Sequence, residues 1–125
     1  MVLGGILMKI SVKKVIDSNI AVSASKGELL FKEVSNALLQ NDYVELDFSE
    51  ITDLTTAFLN VAIGHLYKNF SSEELNEKLK LLNLDELDMY LVTQVIQRVK
   101  KNEEEEEEFK QLIKEVLDDG ESSSY

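Results

Sequence analysis

The sequence predicts an α/β domain, a mixed sheet of four to five strands packed with helices, on three observations. Tyr43 to Phe48 alternates apolar and polar residues with period two, the signature of a half-buried strand. Lys78 to Leu84 is a short apolar run of strand length. A helical stretch precedes each run, so each strand is reached through a crossover, which places it parallel to an earlier strand. A chain of 125 residues, 44% hydrophobic and 30% charged, is the size and composition of one folded domain.

The elements follow in chain order. Residues 1–8 are apolar but short, lack a leading basic residue and fail as a signal peptide. They read as an N-terminal extension or an extra strand segment, and Met1 and Met8 serve equally as a start. Ile10 to Ile16 and Ile20 to Ser23 are β-branched runs around Asp17-Ser18-Asn19, which predicts a hairpin with an Asx-type turn. Ser25 with Glu28 matches a capping box, and Leu30, Phe31, Val34 and Leu38 continue a helical stripe that should end near Asn41. Thr55 and Thr56 open a run to Phe70 that is apolar on nearly every side, hence a buried helix. Ser71 or Ser72 with Glu74 starts the next helix. Asp85 and Glu86 favour the N-terminus of another, with Leu91, Val92, Val95, Ile96 and Val99 on one face.

Composition removes several chemistries. Without cysteine there is no disulfide, thiolate metal site or cysteine nucleophile, and with His65 alone there is neither a His-based triad nor a multi-histidine metal site. His65 itself, inside the buried helix, reads as a packing histidine. The isolated glycines form no phosphate-binding loop, and no calcium-loop spacing is present. Carboxylate pairs such as Asp47 and Glu50 arise by chance in an acidic chain, so no catalytic residue, metal or cofactor is assigned. The formal net charge is −11, of which −7 falls in residues 101–125. That balance argues against binding nucleic acid or an anionic membrane surface, and no apolar run is long enough to span a bilayer. A cytoplasmic protein is expected.

Two segments carry the functional reading. In the first, a strand ends at Asp47 to Ser49 and a turn leads to the hydroxyl pair Thr55 and Thr56 at a helix start. One threonine suffices to cap that helix. A phosphate on the hydroxyl left over would sit at the positive end of the helix dipole, so Thr56 and Thr55 are both candidate phospho-acceptors. In the second, Phe109, Leu112, Ile113, Val116 and Leu117 form an amphipathic stripe after the six glutamates 103–108, with Gly120 as the expected stop and Glu121 to Tyr125 as a short polar tail. The stripe either packs on its own domain or makes a dimer or partner contact.

Val44-Glu45-Leu46-Asp47-Phe48-Ser49-Glu50-Ile51-Thr52, followed by a hydroxyl pair and a buried helix, resembles the STAS domains of bacterial anti-sigma-factor antagonists, in which an LDLSGV strand leads into Asp-Ser-Ser-Gly-Leu. It is more similar to the bacterial STAS-like family of unknown function, where a hydroxyl pair followed by AF replaces that motif, as in Thr55-Thr56-Ala57-Phe58-Leu59-Asn60. The resemblance covers roughly residues 9 to 100 and implies a single STAS-like domain, with residues 101–125 as an acidic C-terminal helix and tail. It sets Thr56 on the phosphorylatable serine of the antagonists, Thr55 on the aspartate before it and Phe58 on the glycine. It implies a non-enzymatic partner-switching module that docks an ATP-binding, kinase-like regulator through Asp53, Leu54, Ala57 and Asn60. The alternative is a structural module that dimerises through Phe109, Leu112, Ile113, Val116 and Leu117.

Overall fold

A computed structural model describes residues 6–124, with side chains through residue 117. In order along the chain come β1 (Leu7–Ser11), α1 (Val12–Ile16), β2 (Ile20–Ala21), α2 (Ala24–Gln40), β3 (Tyr43–Asp47), β4 (Asp53–Leu54) and α3 (Thr56–Leu59). A π-helical turn (Asn60–Gly64), α4 (His65–Asn69), α5 (Ser72–Lys78), β5 (Leu79–Leu82) and α6 (Glu86–Ser124) follow.

The crossovers place the strands as the sequence predicts: β1, β3 and β5 form a three-stranded parallel sheet in the order β1-β3-β5. Period-two alternation sends Ile10, Val44 and Leu46 into the core, where each is buried. The opposite face carries Lys9, Glu45 and Lys80 in register across the three strands, a charged row suited to water. Parallel sheets are usually covered on both faces. Here that charged row is what lets one face stay open.

The second layer is helical. Leu30, Val34, Ala37 and Leu38 of α2 meet Phe58, Leu59, Ala62, Ile63 and Leu66 in one core, so the expected buried helix after Thr55 is buried on one face only, with Ala57, Asn60, Lys68 and Asn69 exposed on the other, and it is interrupted by the π-helical turn. Gly27 permits the closest approach: a Cβ there would lie 2.7 Å from the Phe58 carbonyl oxygen and 3.0 Å from Val61 Cβ. Val92, Val95 and Val99 of α6 close the core, with Val95 and Val99 against Gly64 of the π-helical turn.

Several expectations need correction. No hairpin joins Ile10–Ile16 to Ile20–Ser23. Ser11 Oγ accepts from Lys14 N at 3.3 Å and caps α1, whose Val12 and Ile16, four apart, are both buried. Spacing and cap outweigh β-branched propensity in this segment, and Asp17 ends the helix in the left-handed region at φ 53°. β2 instead pairs parallel with β4 in a separate two-stranded sheet, so the five strands form two parallel sheets rather than one mixed sheet. The cap of α2 is Ser23, which accepts from Lys26 N, and not Ser25, because the chain is still extended at Ser23. α6 runs without interruption through the six glutamates and past Gly120, the expected stop, so the two C-terminal helices are one. Leu7 and Met8 belong to β1. Residues 1–5 of the expected extension and Tyr125 lie outside the described residues, and positions 121–124 of the expected polar tail fall within α6.

Candidate functional site

The C-terminal ends of β1 and β3 converge with the turn that leads into α3. Ser11 stands opposite Asp47 in register and caps α1. Beyond Asp47 the chain reverses at Glu50, whose φ is 66°, and Lys13 Nζ meets Glu50 Oε1 at 3.2 Å to hold that reversal against α1. The loop then docks on the segment before β2. Thr52 N and Oγ1 both donate to the Asn19 carbonyl, at 2.8 and 3.2 Å, and Thr55 N donates to the Ala21 carbonyl at 3.2 Å.

The two threonines have separate roles. Thr55 is the N-cap: its hydroxyl accepts from Phe58 N at 3.3 Å and donates to the Val22 carbonyl at 2.9 Å, tying the start of α3 to the chain after β2. Thr56, the first residue of α3, is half-buried, and among the described residues its hydroxyl has no side-chain hydrogen-bond partner. Asp53, Ala57 and Asn60 around it are exposed and Leu54 is half-buried. The docking residues expected from sequence thus lie on and beside one helix start, while the tail stripe is on a separate element.

A polar cluster that sequence reasoning passed over buttresses this turn. Asp47 Oδ1 accepts from Asn83 Nδ2 at 2.7 Å, from Ser49 Oγ at 2.6 Å and from Ser49 N at 2.9 Å. Asn83 Nδ2 also reaches Ser49 Oγ at 2.9 Å. The Asn83 amide, followed by the Ser49 hydroxyl and backbone amide, holds the Asp47 carboxyl down at about 2. Asn83 lies in the left-handed region at φ 63°, a conformation asparagine tolerates better than most residues. The Asp-x-Ser spacing was a readable Asx-turn signal for half of this cluster. Nothing local announces Asn83, which joins from the β5–α6 turn.

His65 is half-buried, and its ring meets Phe31 edge-on, 5.7 Å between centroids at 87°. It packs, as the sequence predicts. Among the described residues no group of three or more His, Asp or Glu side chains could hold a metal ion, and no helix is long and apolar enough to cross a membrane. A groove of about 400 Å³ opens at the other end of the sheet, beside Leu7, Tyr43, Glu45, Lys78 and Lys80.

The tail stripe packs on nothing in its own domain. Phe109, Leu112, Ile113, Val116 and Leu117 are each between 41% and 62% exposed, and residues 100–117 of α6 are all exposed. Of the two sequence alternatives, packing on the same domain is not what the structure has: α6 leaves the core after Val99, and its side chains are exposed from there to residue 117.

No curated protein and no solved structure matches the chain. The family model for the STAS-like domain of unknown function (DUF4325) matches residues 26–89, from the first turn of α2 to the first turn of α6, and the chain belongs to that family.

Proposed function

We propose that the protein is a non-enzymatic protein–protein interaction module whose docking surface is the start of α3. The observation that carries this reading is the division of labour between the hydroxyls: Thr55 does the capping and Thr56 is left with a hydroxyl that the fold does not use. A phosphate on Thr56 would lie in the first helical turn, near unsatisfied backbone N–H groups and among the exposed Asp53, Ala57 and Asn60. Addition of a dianion there changes the surface a partner meets without dismantling the cap. By likeness to anti-sigma-factor antagonists, the partner is an ATP-binding, kinase-like regulator in the cytoplasm, and release follows phosphorylation.

The test is affinity capture of tagged wild-type, Thr56→Val and Thr56→Glu proteins from their own cells, with phosphopeptide mapping of the wild type. The expected result is one partner retained by Thr56→Val and lost from Thr56→Glu. Identical partners at equal yield for all three would refute the reading.

A second reading, self-association through α6, is supported by the exposed stripe of five apolar side chains between residues 109 and 117.

A further inference from the structure

The self-association reading says that two copies meet but not how, and the geometry of α6 points to an arrangement. We infer that two copies pair through residues 109–117 as an antiparallel helix pair with its two-fold axis near Ile113. The last buried residue of α6 is Val99, so about 25 residues, roughly 37 Å of helix, project beyond the core. The stripe continues the face that is buried higher up. Val92, Val95 and Val99 are followed at alternating steps of three and four by Asn102, Glu106, Phe109, Ile113 and Val116, the spacing of a helix–helix seam. An open groove of about 690 Å³, bounded by Lys68, Val99, Asn102, Glu106 and Phe109, lies at the end of this seam nearest the core.

Area and charge select the occupant and its direction. With each of the five residues 41% to 62% exposed, together they carry roughly 500 Å² per copy. Two copies therefore bring together about 1,000 Å², the floor for a specific interface. Only a partner that is itself a stripe of this size makes such a contact by symmetry. A parallel pair in register would hold the two six-glutamate runs about 10 Å apart along their whole length. The antiparallel pair sets the centres of the runs about 22 Å apart along the axis, more than two screening lengths at physiological salt. It also keeps the two Val99 positions about 42 Å apart, so the acidic bodies do not approach. The remaining cost is that acidic positions 118, 119 and 121 of the second copy come alongside residues 105–108. The dimer is accordingly weak, with a dissociation constant on the order of 10 μM, and it tightens as salt screens that repulsion.

Sedimentation equilibrium on the full chain at about 20 mM and 500 mM NaCl tests this inference. The expected result is a monomer–dimer equilibrium roughly tenfold tighter at high salt, abolished by Ile113→Glu with thermal unfolding unchanged. Because the chain has no cysteine, single-cysteine variants then read direction. Leu112→Cys and Ile113→Cys should oxidise to disulfide dimers, while Glu106→Cys, about 21 Å from its own copy along the axis, should not. A monomer at about 300 μM in high salt would overturn both this arrangement and the self-association reading. A dimer that cross-links at Glu106→Cys would overturn the antiparallel arrangement and leave self-association standing. A dimer that loosens with salt, or survives Ile113→Glu, would place the interface elsewhere and overturn the proposal.

Discussion

Gly27 sits where α2 presses on the backbone of α3, and replacing it with alanine tests how tight that approach is. The new Cβ would stand 2.7 Å from the Phe58 carbonyl oxygen, 3.0 Å from Val61 Cβ and 3.4 Å from Ala62 N. Ordinary contact begins near 3.4 Å, so the two helices must part by about 0.7 Å, and the obstacle is main chain rather than a side chain that can rotate away. Two effects oppose each other. Alanine in a helix is favoured over glycine by about 1 kcal/mol, whereas overpacking a core contact of this kind costs about 1 to 3 kcal/mol. The overpacking wins because Leu30 and Val34 on α2 and Phe58 on α3 are fully buried and cannot follow the shift without opening voids. A net loss of about 1 to 2 kcal/mol is expected, a fall in Tm of about 3 to 8 °C for a chain of this length. Gly64→Ala is the control, since its Cβ would meet nothing closer than Val99 Cγ2 at 3.4 Å, with Val95 Cγ1 at 3.5 Å and the Leu59 carbonyl oxygen at 3.9 Å, all ordinary contacts. That variant should match or exceed the wild type by up to about 1 kcal/mol. Urea and thermal denaturation followed by circular dichroism measure both variants. A Gly27→Ala protein as stable as Gly64→Ala would refute the reasoning, because helix propensity would then be the only effect at work.

Three further outcomes follow from the same contacts. Asp47 ionises at about 2 when folded against an ordinary 3.8. Its contribution, about 1 kcal/mol once solvent screening of this partly exposed carboxylate is allowed for, is complete above pH 3.8 and vanishes as pH falls through 2; Asn83→Ala should raise that carboxyl in an NMR titration and remove much of the contribution. Thr55→Ala loses a cap and a donated hydrogen bond and should cost about 1 to 2 kcal/mol in urea denaturation, while Thr56→Ala should cost under about 0.5 kcal/mol. Truncation after Asn102 removes only exposed side chains among those described, so the Tm should stay within about 2 °C of wild type, and a larger fall would mean the tail packs on the domain.

What the sequence made legible and what it hid divide along one physical line. Elements whose period matches their burial were readable: β3 and the face of α6 up to Val99 each show in sequence the side they bury, whereas β5 and the run after Thr55 were legible only as apolar stretches. The misreading at α1 came from residue type, since Val12, Val15 and Ile16 have β propensity but helical spacing, and a five-residue helix offers barely one repeat to reveal it. Gly27 and Asn83 were illegible for a different reason. Each is defined by a partner far along the chain, Phe58 in one case and Asp47 in the other, and no local pattern encodes a contact of that separation. Those two unannounced residues bracket the candidate site. Gly27 sets how close α2 stands to the start of α3, and Asn83 fixes the end of β3 from which the turn departs. The hydroxyls that mark the site could be found by inspection, but the frame that holds Thr55 as the cap and frees Thr56 is built from long-range contacts. A homologue that keeps the hydroxyl pair but loses either contact should therefore present the same residues in a different geometry, so the pair alone is a poor guide to which domains of this kind share a partner.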